Sequence, residues 1–367
     1  MLRGGLTEVY PPTPLLSESS LARKVMIHAS SVLKRKPYIF FEYGNKQFGS
    51  EIQAALQNSA PDLIHLDSLD LYRWRAILPN VPTTCTHHSI ESELLRHRAR
   101  HISNSLAAIY LRHQANLLEK TERRVCGQFD LNVMMSTLDA DRLRALVPNA
   151  RTAAVPNGVD VDYFRPPASP QEISGRVVFL GPTYMFPNRD GVEFFLDSIW
   201  RSVLERVPNA SFHLLGKNSA ADKIAFQANP AVTCQGYVPD IRPHFAAAQC
   251  SVVPLRVGGG TRLKILDAWS MGKAVVSTSI GCEGLETVDG RNILIRDDAK
   301  GFADAVIQIL SDGELRDRLG REGRITAEKH YAWPIIGNRL SSLYMELIDR
   351  RAGGQRALSQ TSSSELT

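Results

Sequence analysis

One stretch of the chain decides the fold: Val252-Val253-Pro254-Leu255-Arg256-Val257-Gly258-Gly259-Gly260-Thr261-Arg262-Leu263-Lys264-Ile265-Leu266-Asp267-Ala268. It predicts a short buried strand, a triple-glycine loop and the start of a helix. A glycine loop before a helix presents backbone N–H groups at the positive end of the helix dipole, which favours a phosphate. Arg262 and Lys264 add positive charge, and Asp267 can accept hydrogen bonds from ribose hydroxyls. The stretch therefore indicates a nucleotide-sugar site.

The composition is that of a globular protein with two domains. The chain has 367 residues, of which 43% are hydrophobic and 22% charged, and its formal net charge is +5. Its five cysteines are dispersed without a CxxC pair, which indicates reduced thiols and a cytoplasmic protein. The sequence contains no run of about 18 apolar residues, so no membrane-spanning helix is predicted. Prolines at positions 11, 12 and 14 argue against a signal peptide.

Short apolar strands alternate with helical segments on both sides of the proline-rich linker Pro166-Pro167-Ala168-Ser169-Pro170. Such alternation predicts parallel sheets with helices on both faces, and hence an α/β protein with two Rossmann-like domains. We expect an N-terminal domain over 1–165 and a nucleotide-sugar-binding domain over 166–332. A crossover helix over 333–351 and a disordered tail over 352–367 complete the prediction.

Several motifs together resemble family 4 of the glycosyltransferases, which have the GT-B fold. Pro156-Asn157-Gly158-Val159-Asp160 resembles the family's linker motif, and Thr86-His87-His88-Ser89 its histidine-containing loop. Phe179-Leu180-Gly181 and Gly236-Tyr237-Val238-Pro239-Asp240 follow in the family's order, ahead of the glycine loop. The resemblance extends over roughly residues 62–350. Among these proteins, a subgroup that makes exopolysaccharides and surface glycans has a similar glycine-rich loop.

The resemblance implies transfer of a sugar from a nucleotide donor to a glycan or lipid-linked acceptor, with retention and without a metal or cofactor. The diphosphate leaving group would be stabilised by the loop amides and by Arg262, the first of two candidate catalytic residues. The second, His88, would touch the donor sugar. The candidate nucleotide-sugar-binding residues are Gly181, Asn188, Arg189, Tyr237, Val238, Gly258, Gly259, Gly260, Thr261, Lys264 and Asp267.

Two departures from the family leave an alternative open. The family carries two glutamates separated by seven residues, and here Gly259 and Asp267 stand at those positions. Residues 1–57 also lack the strand, glycine loop and helix that open such a domain, so the N-terminal domain is expected to be incomplete. A non-catalytic remnant that binds nucleotide or scaffolds a glycan-assembly complex is therefore the alternative. An epimerase would need a pair of acid/base carboxylates, and none is clear.

The segment 96–124 holds seven Lys/Arg and two acidic residues, together with an apolar stripe. It predicts either an amphipathic core helix with a solvated basic face or peripheral contact with an anionic membrane at its inner face. Nucleic-acid binding is not expected, because no aromatic residues are interleaved with the charge. The pairs Asp139/Asp141 and Asp160/Asp162 spell Asp-x-Asp, but they fall at a helix start and in a linker, so no metal site is predicted.

Overall fold

The computed structural model describes residues 10, 12–18, 20–102, 104–168, 172–258 and 262–364, with the side chains of residue 101 and of residues beyond 352 left out. The chain divides into two compact units. Unit 1 comprises Met1–Met134, Ala140–Ala153 and Ser342–Thr367, and unit 2 comprises Met135–Asp139 and Ala154–Ser341. The predicted boundaries at residues 165, 332 and 351 stay predictions.

Unit 1 contains a four-stranded sheet of order β1-β2-β3-β4, in which the first three strands are parallel. Among the described residues, three α-helices precede the sheet, within the segment where the sequence lacks the expected opening pattern. The α-helices and strands from α1 to β4 are α1 (Leu21–Lys34), α2 (Tyr38–Glu42), α3 (Lys46–Asn58), β1 (Ile64–Leu66), β2 (Thr83–His87), α4 (Glu91–His101), α5 (Ser105–Val125), β3 (Leu131–Met134), α6 (Thr137–Leu146) and β4 (Thr152–Ala154).

The sequence predicts one long helical stretch from about residue 91 to residue 126, whereas the structure has two helices there, α4 and α5. The break has a local cause, because the side chain of Asn104 accepts a hydrogen bond from the backbone N–H of Ala107 and caps a new helix. α5 buries Ala115 and Leu118 in an apolar cluster with Ile39 of α2 and Leu95 of α4. Its first turns are more exposed than the remainder.

Unit 2 contains a six-stranded parallel sheet of order β10-β9-β8-β5-β6-β7. The elements from β5 onward are β5 (Arg176–Leu180), α7 (Phe186–Phe194), a π-turn (Phe195–Ile199), α8 (Trp200–Arg206), β6 (Ser211–Leu215), α9 (Ala220–Phe226), β7 (Val232–Gly236), α10 (Arg242–Ala247), β8 (Cys250–Val253), α11 (Leu263–Ser270), β9 (Ala274–Ser277), β10 (Leu294–Ile295), α12 (Ala299–Ser311), α13 (Gly313–His330) and α14 (Trp333–Ser364).

The core of unit 2 explains why this sheet forms. The central strand β5 buries Val177, Val178 and Phe179 completely, and Trp200 and Trp269 pack in the same cluster with no exposed surface. Strands buried on both faces are nearly continuous apolar runs, as parallel sheets covered by helices require. The predicted α/β architecture with parallel sheets is therefore confirmed. No helix among the described residues is long and apolar enough to cross a membrane.

Candidate functional site

The strand order of unit 2 defines where a ligand can bind. From β5 the chain moves outward through β6 and β7, and then returns to the other side of β5 to form β8, β9 and β10. The neighbouring strands β5 and β8 are therefore the point at which the strand order reverses. In open parallel sheets, ligands bind outside the carboxyl ends of the two strands at such a point. In unit 2, α7 follows β5 and α11 follows β8.

Two predicted residues meet at this place. The ammonium of Lys264, in the first turn of α11, donates to the side-chain oxygen of Asn188 in the first turn of α7, with Nζ and Oδ1 2.6 Å apart. Asn188 also donates to the carbonyl of Pro182 (3.0 Å), which fixes its orientation. The ammonium lies 4.3 Å from the centroid of the Phe179 ring at the end of β5. This pair joins the two helices that follow the switch-point strands.

Asp267 lies three residues after Lys264, so that both side chains occupy one face of α11. Burial lowers the pKa of Lys264 to about 7, and the charge of Arg262 adds to this effect. Burial also raises the pKa of Asp267 to about 7. Its carboxylate has no hydrogen-bond or ion-pair partner among the residues the structure describes. Two partly buried polar groups therefore stand at the switch point with little to offset their desolvation.

Arg262 is buried and already engaged. Its guanidinium donates to the backbone carbonyl of Ile280, with Nη2 2.9 Å from the oxygen. Burial lowers the pKa of Arg262, whereas the nearby carboxylates Glu283 and Asp139 act in the opposite direction. Gly258 lies against the same guanidinium, since a Cβ at that position would be 3.0 Å from Nη1. The predicted residues Gly259, Gly260 and Thr261 lie outside the described residues.

The other predicted residues of unit 2 line the carboxyl ends of its strands. Gly181 follows β5 and abuts the side chain of Asn188, where a Cβ would lie 2.7 Å from Nδ2. Arg189 is ion-paired with the carboxylates of Glu193 (2.9 Å) and Asp222 (3.2 Å). Tyr237 is largely exposed and Val238 is half-buried, both just after β7. The sequence did not predict these two ion pairs of Arg189.

His88 lies in unit 1, directly after β2, and its side chain is about half exposed. Its Nε2 lies 3.0 Å from the backbone carbonyl of Asp67 and 3.8 Å from the carboxylate of the same residue. The neighbouring His87 is buried, and its Nε2 donates to the side-chain oxygen of Asn132 (2.9 Å). Of the two adjacent histidines, His88 is the one that presents its ring to solvent.

Sequence reasoning missed two features of the site in unit 2. Glu283 lies near Arg262, and the glycine-flanked pattern Gly281-Cys282-Glu283-Gly284 after β9 was the available signal. Arg256 forms a bidentate ion pair with Asp190, at 2.6 and 3.1 Å, which ties the loop after β8 to α7. No sequence signal joins these two residues.

Comparison with known families identifies the class of protein. The model "Glycosyl transferases group 1" matches residues 174–312, and the model "Glycosyltransferase Family 4" matches residues 15–163. These two matches follow one another along the chain and reach into both units. The chain belongs to this family of glycosyltransferases.

Two curated relatives are similar to part of the chain. A lipopolysaccharide core biosynthesis glycosyltransferase, LpsE, of Rhizobium meliloti is 32% identical over 175 residues, which are 44% of this chain and 47% of the relative. A GDP-mannose-dependent monoacylated phosphatidylinositol monomannoside mannosyltransferase of Corynebacterium glutamicum is 26% identical over 52% of this chain and 55% of the relative. The chain spans about half the length of these relatives.

Solved structures of similar fold extend over more of the chain. The sucrose-phosphate synthase of Thermosynechococcus elongatus superposes with a TM-score of 0.67 at 19% identity, over 83% of this chain and 78% of the other. HepE of Anabaena, solved in complex with UDP and glucose, superposes with a TM-score of 0.62 at 13% identity, over 80% of each chain. The predicted GT-B fold is confirmed.

Proposed function

We propose that the protein transfers a hexose from a nucleotide-activated donor to a glycan or lipid-linked acceptor, with retention of anomeric configuration and without a metal ion. The observation that carries this proposal is the contact between Lys264 and Asn188 at the switch point, with the carboxylate of Asp267, which has no partner among the described residues, on the same face of α11 as Lys264. A basic group beside two helix N-termini suits a diphosphate. A carboxylate on the same face suits ribose hydroxyls.

In this proposal the diphosphate takes the place of the Asn188 side chain as the main partner of the Lys264 ammonium. The amides of Gly258, Gly259 and Gly260 and the N-terminus of α11 stabilise the charge that develops on the leaving group. Arg262 contributes after it exchanges the Ile280 carbonyl for a phosphate oxygen. The acceptor hydroxyl then attacks the anomeric carbon from the face that the phosphate leaves, and passes its proton to the departing phosphate.

The remaining contacts place the nucleoside and the sugar. Asp267 accepts hydrogen bonds from the ribose, and the chain at Tyr237 and Val238 contacts the base. Gly181, Asn188 and Thr261 contact the phosphates, while Arg189 acts after leaving one of its two carboxylate partners. His88 contacts the donor sugar. The roles of Arg189 and His88 rest on the resemblance to the family.

The similar proteins support a nucleotide sugar and a surface-glycan acceptor. HepE is described in complex with UDP and glucose, the corynebacterial relative is named as dependent on GDP-mannose, and LpsE is named for lipopolysaccharide core biosynthesis. We also propose a cytoplasmic location, peripheral at the inner face of the membrane. All five cysteines are free and buried, which suits a reducing compartment.

The first test is thermal unfolding of the full chain with UDP, GDP, ADP and their sugar conjugates. A ligand present at about one hundred times its Kd stabilises the native state by roughly 2.7 kcal/mol, so that one nucleotide is expected to raise Tm clearly. Lys264→Ala and Asp267→Ala are expected to lose that shift. Lys329→Ala is the control, because Lys329 is an exposed lysine at the end of α13. A folded protein that responds to no nucleotide contradicts the proposed site.

The second test separates an enzyme from a non-catalytic remnant, for which Gly259 in place of a motif glutamate is the specific observation. The nucleotide sugar that stabilises the protein is incubated with it, with and without a glycan acceptor, and release of nucleoside diphosphate is measured. Release that is lost in Arg262→Ala, with the Tm of the unliganded variant near wild type, supports transfer. A nucleotide-dependent shift without any release supports the remnant.

A further inference from the structure

We propose that α1, together with the first turns of α5, is a docking surface for an anionic lipid membrane. The helix α1 spans Leu21–Lys34, and of its residues only Ile27 and Ser31 are buried. Leu21 exposes 78% of its surface, Met26 62% and Leu33 83%. A helix on a soluble domain normally turns its large apolar side chains inward, and α1 turns most of them outward.

The exposed apolar residues form one continuous face. At about 100° per residue, they fall within an arc of roughly 140° that contains no polar residue. We call this arc the α1 face, and its members are Leu21, Ala22, Val25, Met26, Ala29, Val32 and Leu33. Arg23, Ser30 and Lys34 flank it on one side, and Lys24 and His28 on the other.

α5 extends the α1 face. His28 lies at the border of the face, and its Nδ1 is 2.6 Å from the hydroxyl of Tyr110 on α5. Leu106 lies four residues before Tyr110 on the same side of α5, and Ile109 lies three residues after Leu106; the two expose 79% and 58% of their surfaces. The apolar surface therefore runs from one helix to the next within unit 1.

The charge of this region selects the occupant. Residues 21–36 contain five Lys/Arg (Arg23, Lys24, Lys34, Arg35, Lys36) and no acidic residue. A second copy of the chain on the α1 face would bring two such basic segments together, which is unfavourable. An anionic lipid surface is complementary to both the apolar α1 face and the basic residues beside it. It accepts apolar side chains at the acyl boundary and basic side chains among its headgroups.

A cavity beside the α1 face supplies a place for a headgroup. It encloses about 330 Å³, and its lining includes the guanidinium-bearing residues Arg23 and Arg73 and the apolar residues Met26, Ile27 and Phe41. Arg73 donates to the backbone carbonyl of Phe40, which fixes its guanidinium in the wall. Two arginines next to apolar side chains suit the phosphate of a lipid headgroup and the start of its acyl chains.

This proposal centres the membrane contact on α1 and keeps only the first turns of α5 from the segment 96–124, for which the sequence left a core helix and a membrane contact open. Within that segment Arg96 and Arg123 both pair with Glu119, so that part of its charge is compensated. Residues 21–36 contain no acidic residue of their own. The proposal rests on the proposed function, because a membrane contact suits an enzyme whose acceptor is lipid-linked. Lipid binding itself is measured without any sugar transfer.

The experiment is flotation of the full chain with vesicles of phosphatidylcholine alone and of phosphatidylcholine with about 30 mol% phosphatidylglycerol. The variant Leu21→Ser/Met26→Ser/Leu33→Ser removes apolar surface that contacts no core. The matched control Ile224→Ser/Ile325→Ser removes exposed isoleucines of unit 2. A third variant, Lys24→Gln/Lys34→Gln, removes charge beside the α1 face.

The wild type is expected to float with the anionic vesicles and not with the neutral ones, and added salt is expected to weaken this binding. The triple serine variant is expected to lose at least tenfold in partition coefficient, the lysine variant several-fold, and the isoleucine control nothing. Wild type that stays unbound, or a serine variant that binds as wild type does, overturns the proposal. So does a wild-type dimer that the serine variant makes monomeric, because a second copy then occupies the face. The nucleotide-dependent Tm shift is measured on the same variants, so that a failure of the donor site is recognised separately.

Discussion

The central strands of the two sheets bury different kinds of side chain. β2 of unit 1 reads Thr-Thr-Cys-Thr-His and β5 of unit 2 reads Arg-Val-Val-Phe-Leu, yet β2 is buried at all five residues. In the sheet of unit 1 several polar side chains pair within the unit: His87 with Asn132, and His65 with Thr84, Thr86 and the hydroxyl of Tyr344. In unit 2 the buried strand residues are mostly apolar, and polar groups gather where the strands end.

Polar side chains within a sheet and polar side chains at the strand ends have different roles. A polar group in the middle of a sheet has to be bonded within the fold, because an unpaired one costs about 1–3 kcal/mol. At the carboxyl end of β8, by contrast, Lys264 has one amide as hydrogen-bond partner and Asp267 has no described partner. Polar side chains of β2 are thus bonded within unit 1, whereas we propose that unit 2 keeps Lys264 and Asp267 for a ligand.

The largest expected effect comes from Gly216, which closes the apolar sheet of unit 2 at the ends of β5 and β6. Its φ is +136°, and a Cβ there would lie 2.6 Å from the carbonyl carbon of Gly181. Gly216→Ala is therefore expected to lower the free energy of unfolding by about 4 kcal/mol, since both backbone conformation and close packing oppose it. Urea denaturation measures this loss.

Gly236 is the matched control at the end of the neighbouring strand β7. Its φ of +73° also disfavours a side chain, but a Cβ there would meet nothing within 4 Å. Gly236→Ala is expected to cost only about 1 kcal/mol, from the backbone conformation alone. Equal losses in the two variants would show that close approach of the strand ends is not what Gly216 provides.

His87 tests the paired interior of unit 1. Burial lowers its pKa to about 4 from an ordinary 6.5, so the native state keeps it neutral. The unfolded state takes up a proton as pH falls below 6.5 while the native state does not, so stability is lost between about pH 6.5 and pH 4. The loss amounts to about 3 kcal/mol at pH 4.

His87→Gln removes this titration and keeps a donor for Asn132. Hydrogen exchange of the β2 amides, measured at pH 7 and again near pH 4.5, reports on unit 1 alone. The variant is expected to lose less protection than wild type on acidification. The same acid sensitivity in both proteins would mean that another group governs it.

The two fully buried tryptophans of unit 2 give a smaller effect. The indole N–H of Trp269 donates to the carbonyl of Asn292 at 2.9 Å, whereas that of Trp200 has no partner among the described residues. Trp269→Phe is expected to cost about 2 kcal/mol more than Trp200→Phe, because only the former breaks a buried hydrogen bond. Thermal unfolding of the two variants provides the measurement, and similar losses would mean that cavity volume alone sets the cost.

Much of the fold could be predicted because local pattern was sufficient. Short apolar or β-branched runs predict a strand over Thr83–His87, which are the bounds of β2, and one over Val177–Gly181, within one residue of β5. The break between α4 and α5 was missed, since the apolar period continues through the cap at Asn104. The helices α1 to α3 were not predicted, although the apolar period of α1 is present in the sequence.

The sequence names candidate site residues but does not give their geometry. Asn188 and Lys264 were both named from the sequence, yet their contact joins positions 76 residues apart and depends on which strands are neighbours. The engagement of Arg262 was beyond prediction, because its partner is the backbone carbonyl of Ile280, and a carbonyl has no sequence signal. Which site residues contact one another therefore depends on the strand order and the backbone path, and not on residue identity alone.

The smallest effect tests whether unit 2 does keep Lys264 and Asp267 for a ligand. With both pKa values near 7, phosphate binding is expected to weaken as Lys264 loses its proton above pH 7, and ribose binding to weaken as Asp267 gains one below pH 7. Wild-type affinity for the nucleotide is therefore greatest near neutral pH. In Asp267→Asn only the titration of Lys264 remains. The Kd of this variant for the nucleotide is therefore expected to rise about tenfold from pH 6 to pH 8, which corresponds to about 1.4 kcal/mol.

In Lys264→Gln only the titration of Asp267 remains, and the Kd of this variant for the nucleotide is expected to fall by a similar factor from pH 6 to pH 8. Isothermal titration calorimetry of the wild type and both variants measures these slopes, and the number of protons exchanged on binding is obtained from buffers of different ionisation enthalpy. Opposite slopes in the two variants mean that both groups change their environment when the nucleotide binds. A flat profile in both variants would mean that the two groups keep their protonation on binding. They would then belong to the fold of unit 2, as the paired histidines belong to unit 1.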